Sequence, residues 1–295
     1  MTFNLLTSTQ LRRSHPWRLR KRSVARIFRE YAPDVVGTQE ANLAQLLELA
    51  ELLPEYDFVG EGNLSRTDLS DSVHNWYCAI FYRRDRVRPA EDESDTWWLS
   101  PTPGVPASRF APGTRPRVAT WQTFELLGGG QPFVMGTTHL EAFSGLSRRR
   151  SALALRDYVT ARVRQLGDDT PLFLTGDFNA LDNSPELRTL ADGGRRDTAL
   201  HDAWRSGGTL APEEAATFRG LGSLRGVKRA LLGARRIDYV LYRPRLEVGR
   251  VERIDFDRFF GHEKARPSDH FPVVADFLLP AATSARAGKL LLPAA

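Results

Sequence analysis

Cysteine is almost absent from this 295-residue chain: Cys78 stands alone, in the apolar run Tyr77-Cys78-Ala79-Ile80-Phe81. No intramolecular disulfide can form and no thiolate zinc site can be assembled, so Cys78 reads as a buried strand residue. Long apolar runs are missing too. No stretch approaches the roughly 20 residues that cross a bilayer. The N-terminus turns polar and basic by Arg12, without the order of charge, apolar stretch and small-residue cleavage site that marks a signal peptide. A soluble cytoplasmic protein is the expectation from these absences, although a removed export signal would leave the same sequence, and a monomer is expected. There is no internal repeat. Acidic residues are scarce in the first thirty positions, where Arg12, Arg13, Arg18, Arg20, Lys21, Arg22, Arg26 and Arg29 oppose only Glu30.

What is present is globular. Hydrophobic residues make up 41% and charged residues 26% of the chain, with a net charge of +5, enough apolar material for a sizeable core. A second basic cluster, Arg219, Arg225, Lys228, Arg229, Arg235 and Arg236, contains no acid. Both clusters suit a polyanion through steering and counterion release, and a solvated arginine-rich helix face accounts for them nearly as well.

Strand-like and helix-like segments alternate in the first half: Thr2 to Leu6, Trp17 to Tyr31, Asp34 to Thr38, then Leu43 to Leu53. Leu43, Leu46, Leu47, Ala50 and Leu53 make the stripe of a helix packed on a sheet. From Trp76 to His139 successive strands follow, with Gly128-Gly129-Gly130 as a hairpin turn and the five prolines of 101–116 in an ordered surface loop. Residues 144–165 and 184–191 read as helices; 171–176, 237–242, 246–255 and 271–278 read as strands. Trp97-Trp98 reads as a strand-end core pair. Residues 280–295 read as a loosely ordered tail.

Polar side chains that suit a hard cation stand at the ends of these apolar strands: Asn4, Gln39-Glu40, Asp177-Phe178-Asn179 and Ser268-Asp269-His270. Asparagine and carboxylate oxygens without paired histidines fit Mg²⁺ or Mn²⁺ better than a zinc cage. Each element alone is weak, since an acid at a strand end is usually solvated or a cap; their joint order is the signal.

Phe3-Asn4, Thr38-Gln39-Glu40, Thr138-His139-Leu140, Thr175-Gly176-Asp177-Phe178-Asn179, Arg236-Ile237-Asp238-Tyr239 and Ser268-Asp269-His270-Phe271-Pro272-Val273 together resemble the successive signatures of the endonuclease/exonuclease/phosphatase superfamily. The resemblance covers about residues 1–279, and further stretches resemble a bacterial subgroup near the deadenylase branch. It implies an α/β fold of one domain: a four-layer sandwich of two mixed, mostly antiparallel sheets packed face to face, with helices outside. It also implies a metal-dependent phosphoric ester hydrolase. By the same resemblance, Glu40 is the principal metal ligand, with Asn4 near metal and phosphate and Asp269 supporting the metal or His270. Asp177 and Asn179 orient the attacking water and hold the phosphate, His270 contacts the phosphate and moves protons, Asp238 fixes its tautomer, and His139 stabilises charge or protonates the leaving oxygen. Arg117 is a candidate phosphate contact, with a surface salt bridge as its alternative. His15, His74, His201 and His262 match nothing and read as exposed or structural.

One position departs from the family pattern. Trp76 stands where many members carry a glutamate that supports a catalytic histidine or the metal, leaving Asp71, His74 or Asn75 as substitutes. The substrate expectation is nucleic acid, RNA or DNA, with a small or lipid phosphate ester as the runner-up. A non-catalytic binding module on the same fold is the reading from another class, and it conflicts with the presence of Asp177, Asn179 and His270.

Overall fold

A computed structural model describes residues 1–8, 16–64, 74–90, 94–192, 198–207, 215–218, 235–256 and 266–281. Arg12, Arg13, His15, Asp71, Arg219, Arg225, Lys228, Arg229, His262 and residues 282–295 of the expected tail lie outside the described residues.

Two sheets form the centre. The first contains β1 (Thr2–Asn4), β2 (Val35–Gln39), β3 (Tyr56–Val59), β4 (Ala79–Arg83), β12 (Glu247–Arg253) and β13 (Val273–Leu278), in the order β12-β13-β1-β2-β4-β3. The second contains β5 (Val87–Pro89), β7 (Val118–Leu126), β8 (Phe133–His139), β9 (Leu172–Asp177), β10 (His201–Asp202) and β11 (Asp238–Arg243), in the order β10-β11-β9-β8-β7-β5. There β6 (Asp95–Trp98) also pairs with β7. Most pairs are antiparallel; β1 with β2 and β8 with β9 are parallel.

The helices cover the outer faces. Trp17, Val24, Ile27 and Phe28 of α1 (Trp17–Tyr31), with Leu46 and Leu49 of α2 (Leu43–Leu52), pack on Phe3, Val36 and Phe81. Asn42 starts α2 through a capping box with Gln45, each side chain accepting from the other's backbone N–H. Leu155, Val159 and Val163 of α3 (Gly145–Leu166) and Leu187 and Leu190 of α4 (Pro185–Asp192) pack on Val134, Leu174 and Leu241. Short α5 (Ala203–Gly207) follows β10. Between the sheets lies a third apolar cluster that includes Ile80, Phe124, Met135, Phe173, Val240 and Val273. Helix, sheet, sheet, helix is the expected four-layer sandwich.

At one end of this inner cluster the filling changes from apolar to polar, and the sheets approach closely there. A Cβ added to Gly37 of β2 would lie 2.2 Å from Thr175 Oγ1 and 2.6 Å from Thr137 Oγ1 of the opposite sheet, so only glycine permits this approach. Gln39 Nε2 donates across the gap to Thr137 Oγ1 at 2.9 Å. Cys78 is buried at this level, and burial pushes its thiol up to about 12, which keeps it unreactive. Trp98 is buried with its Nε1 donating to Asn63 O at 2.7 Å, and Trp97 packs on Tyr158. They are the core pair expected.

Candidate active site

Strand register assembles the site. In the second sheet His139 pairs with Asp177 and Asp177 with Asp238, a row across three adjacent strands. In the first sheet Asn4 pairs with Gln39, which places Glu40 one residue beyond the row. Side chains ending these strands meet where the two sheets converge.

Asp177 is the hub. Its Oδ2 accepts from Asn4 Nδ2 at 3.1 Å and lies 3.4 Å from His139 Nε2 and 3.6 Å from His270 Nε2. Its Oδ1 accepts from the Asn179 backbone N–H at 2.9 Å. Burial pushes the Asp177 carboxyl up to about 7 against the pull of His270, and the charge of Asp238 adds to the rise.

His270 arrives from the loop before β13. Ser268 Oγ fixes that loop by donating to Asn4 O at 2.6 Å and accepting from His270 N at 3.2 Å. His270 Nδ1 sits 2.9 Å from Asp238 Oδ2. Burial alone would lower the His270 pKa, but the charges of Asp238 and Asp177 outweigh it and hold the imidazolium well above the ordinary histidine range. The backbone N–H of Asp238 donates to Thr217 Oγ1, and Phe218 lies against the His270 ring with centroids 4.9 Å apart. Asp238 Oδ1 is buried with no hydrogen-bond partner among the described residues, which leaves it for a water or ligand.

His139 is in the opposite state. Burial, with Arg117, His270 and Arg115 nearby, holds it well below the usual range. Asn179 Nδ2 donates to Leu140 O at 3.0 Å, which settles that atom as nitrogen, and the same atom lies 3.0 Å from His139 Nε2. The neutral imidazole therefore accepts at Nε2 and carries its proton on Nδ1.

Glu40 and Asn179 both have left-handed backbones, with φ of 68° and 47°. Asparagine tolerates this conformation; for glutamate it is strained by roughly 1–3 kcal/mol. The turn aims the half-buried Glu40 carboxylate back over the strand ends, where Oε1 accepts from Asn4 Nδ2 at 3.1 Å and Oε2 from Thr7 N at 3.3 Å.

A family model described as Endonuclease/Exonuclease/phosphatase family matches residues 1–270. The chain belongs to this family. It is 27% identical over 288 residues to Nocturnin of Drosophila melanogaster, covering 90% of this chain and 42% of that protein. A mannosyl-6-phosphatase of Bacteroides thetaiotaomicron VPI-5482 superposes with a TM-score of 0.75 at 26% identity, covering 94% of this chain and 98% of the other. An endonuclease/exonuclease/phosphatase of Bacteroides vulgatus does so with a TM-score of 0.76 at 25% identity, covering 94% and 97%.

Family members depend on divalent metal, and the donors present here fit one. Glu40, His139 and Asp177 bring ligand atoms within 4.8 Å of one another, as do Asp177, Asp238 and His270. The second group is committed to an ion pair and carries an imidazolium, which repels a cation. The first offers two carboxylates at the mouth of the site, suited to a hard ion that keeps several waters.

Three expectations need correction. Asn4 gives its carbonyl oxygen to Leu6 N at 3.0 Å and both amide hydrogens to Glu40 and Asp177; it holds the carboxylates together instead of offering oxygen to a metal. Arg117 does not form the surface salt bridge: its Nε lies 3.2 Å from Glu141 Oε2 in a buried pair, with side chains 8% and 4% exposed. The basic clusters are partly internal. Arg20 is fully buried, donating to Leu5 O, Leu6 O and Pro267 O, and buried Arg236 pairs with Asp182 and Asp202. Asp269 is buried beside His270 and raises its pKa, outside both metal-capable groups.

Trp76 stacks on His139, centroids 6.1 Å apart and planes 9° from parallel, and the Arg115 guanidinium lies 3.7 Å from the Trp76 ring centroid. The His74 carbonyl accepts from Arg115 Nη1, and Asn75 Oδ1 accepts from Leu64 N. An aromatic wall thus occupies the place expected for glutamate. Glu141, missed from sequence, ties this wall together, accepting from Arg117 Nε, Arg115 N and Phe143 N. Its position two residues after His139 was the available signal.

Proposed function

We propose that this chain is a Mg²⁺- or Mn²⁺-dependent hydrolase of phosphate esters, acting as a phosphodiesterase on RNA or DNA by direct in-line attack of water. The observation that carries this reading is the convergence on Asp177 Oδ2 of a cationic histidine, a neutral histidine and the Asn4 amide shared with Glu40.

Glu40 and Asp177 would hold a divalent cation, which when bound would supply Lewis acidity to the reaction. The remaining work falls to the chain. Asp177, held in place by the Asn179 backbone N–H and the Asn4 amide, accepts the proton of the attacking water as the new P–O bond forms. His270, kept cationic by Asp238, stabilises charge on the phosphoryl oxygens and gives its Nε2 proton to the leaving oxygen as the ester bond breaks. Asn179 holds Asp177 through its backbone and His139 through its side chain. Neutral His139, walled by Trp76, is occupied at Nε2 by the Asn179 amide and so holds that side chain beside Asp177. No covalent intermediate is required.

A second reading, a phosphatase of small sugar phosphates, is favoured by the name of the Bacteroides relative. Lipid phosphates form a third substrate class. No helix among the described residues is long and apolar enough to cross a membrane.

Hydrolysis of single-stranded RNA, DNA, hexose 6-phosphates, inositol phosphates and sphingomyelin would be compared with Mg²⁺ and Mn²⁺. The nuclease reading expects oligonucleotide cleavage that weakens with salt. Two phosphates contacted on a single strand give a slope of about −1.4 in log affinity against log salt. Brisk hydrolysis of a sugar or lipid phosphate, with no action on either nucleic acid, would overturn it.

A further inference from the structure

Phe143, in the loop between β8 and α3 and four residues past His139, is 97% exposed. A single exposed aromatic is unremarkable on most surfaces, but the backbone beneath this one is clamped. Phe143 N donates to Glu141 Oε1 at 3.2 Å, and Arg148 Nη1 donates to the carbonyls of Glu141 and Ala142 at 2.9 Å each. The Arg148 guanidinium also lies 3.5 Å from buried Glu186. The same loop is fastened to the reaction centre, since Leu140 N donates to Asp177 O at 2.9 Å and Leu140 O accepts from Asn179 Nδ2. Three residues span at most about 11 Å, so Phe143 stands at a fixed, short distance from the strand ends.

The surroundings carry positive charge. Ser144 caps α3, whose first turn holds no acid, so the positive end of the helix dipole is unopposed. Arg149 and Arg150, in the second turn, are exposed and make no ion pair among the described residues. Ser144, Gly145 and Arg148 to Arg150 follow the ring in sequence, with exposed Leu146 among them. A rigid aromatic face among cations fits a nucleobase flanked by phosphates better than a lipid surface, which takes a contiguous apolar patch.

We propose that Phe143 is a stacking platform for a nucleobase next to the scissile phosphodiester, with Arg149 and Arg150 meeting the adjoining phosphates. This rests on the nuclease reading above, and it names the residue that discriminates a polynucleotide from a small ester. Base stacking on an aromatic side chain is typically worth a roughly 5- to 150-fold change in affinity.

The test compares native protein with Phe143→Ala, Phe143→Leu and Phe143→Trp on a labelled single-stranded oligonucleotide with Mn²⁺, alongside binding to vesicles of phosphatidylserine and phosphatidylcholine. The expected result is a KM raised roughly 5- to 150-fold in the alanine variant and raised also in the leucine variant, with kcat within about twofold and native KM restored by tryptophan. Because the ring is exposed, thermal midpoints should coincide. Oligonucleotide cleavage with an unchanged KM in the alanine variant would overturn the platform and leave the nuclease reading standing. Loss of vesicle binding in that variant, with oligonucleotide kinetics intact, would transfer the surface to lipid and overturn it as well. Failure of the native enzyme to cleave any oligonucleotide would overturn both.

Discussion

Replacing Asp238 with asparagine isolates the electrostatic part of the proposed mechanism. The change keeps the side-chain shape and removes the charge 2.9 Å from His270 Nδ1, in a pair whose side chains are 5% and 1% exposed. A hydrogen bond to a charged group is worth about 1.5–3 kcal/mol, and each 1.36 kcal/mol is tenfold in rate. Loss of imidazolium should therefore lower kcat roughly 10- to 150-fold. The sign with pH follows from the raised His270 pKa. The stabilisation is fully present below the pKa of an unfolded histidine, about 6.5, and is lost as pH rises through the higher folded value. In Asp238→Asn the basic limb of the kcat profile should move to lower pH. The fold's extra stability at mildly acidic pH, relative to alkaline pH, should shrink. The assay is kcat against pH, with histidine NMR titration of metal-free protein beside it. His270→Ala combined with Asp238→Asn should lose less than the sum of the single losses. An unmoved His270 titration, or fully additive losses, would refute the reasoning.

Glu40→Ala and Glu40→Gly should both abolish tight Mn²⁺ binding, yet Glu40→Gly should be more stable than Glu40→Ala by about 1 kcal/mol in denaturant titration, since glycine relieves the left-handed backbone. Equal stabilities would show that the turn is unstrained. Mn²⁺ affinity measured by calorimetry should rise between pH 6 and pH 8, because a proton on Asp177, with its pKa near 7, competes with the ion; flat affinity would contradict the assignment of Asp177 as a ligand. Glu141→Ala leaves Arg117 buried without its carboxylate and should cost about 3–5 kcal/mol. Removing both charges, as Arg117→Leu with Glu141→Leu, should recover much of that loss, and a double variant no more stable than the single would argue against the buried pair.

The sequence made some layers readable and hid others for physical reasons. Helices α1, α2 and α3 announce themselves through apolar residues at three- and four-residue spacing. The row His139, Asp177 and Asp238 is legible because each polar residue lies at an end of an apolar strand segment. The fates of individual arginines were not. Arg20 donates to Pro267 O, 247 residues away, and no charge count reveals that a guanidinium is spent on backbone carbonyls. Arg117 was read as surface or ligand because its partner follows a different strand. Edge strands β3 and β10, of four and two residues, are too short for periodicity to register. The stack of Arg115, Trp76 and His139 joins three separate segments, so sequence could report the missing glutamate but not what fills its place.

The most direct test of the account is hydrolysis of a single-stranded oligonucleotide by protein stripped with EDTA, then supplied with Mn²⁺ or Mg²⁺, in parallel with Glu40→Ala. The account predicts no turnover after stripping, recovery on addition of either ion to native protein, and no recovery in the variant. Full activity in excess EDTA, or in Glu40→Ala at ordinary metal concentration, would contradict it.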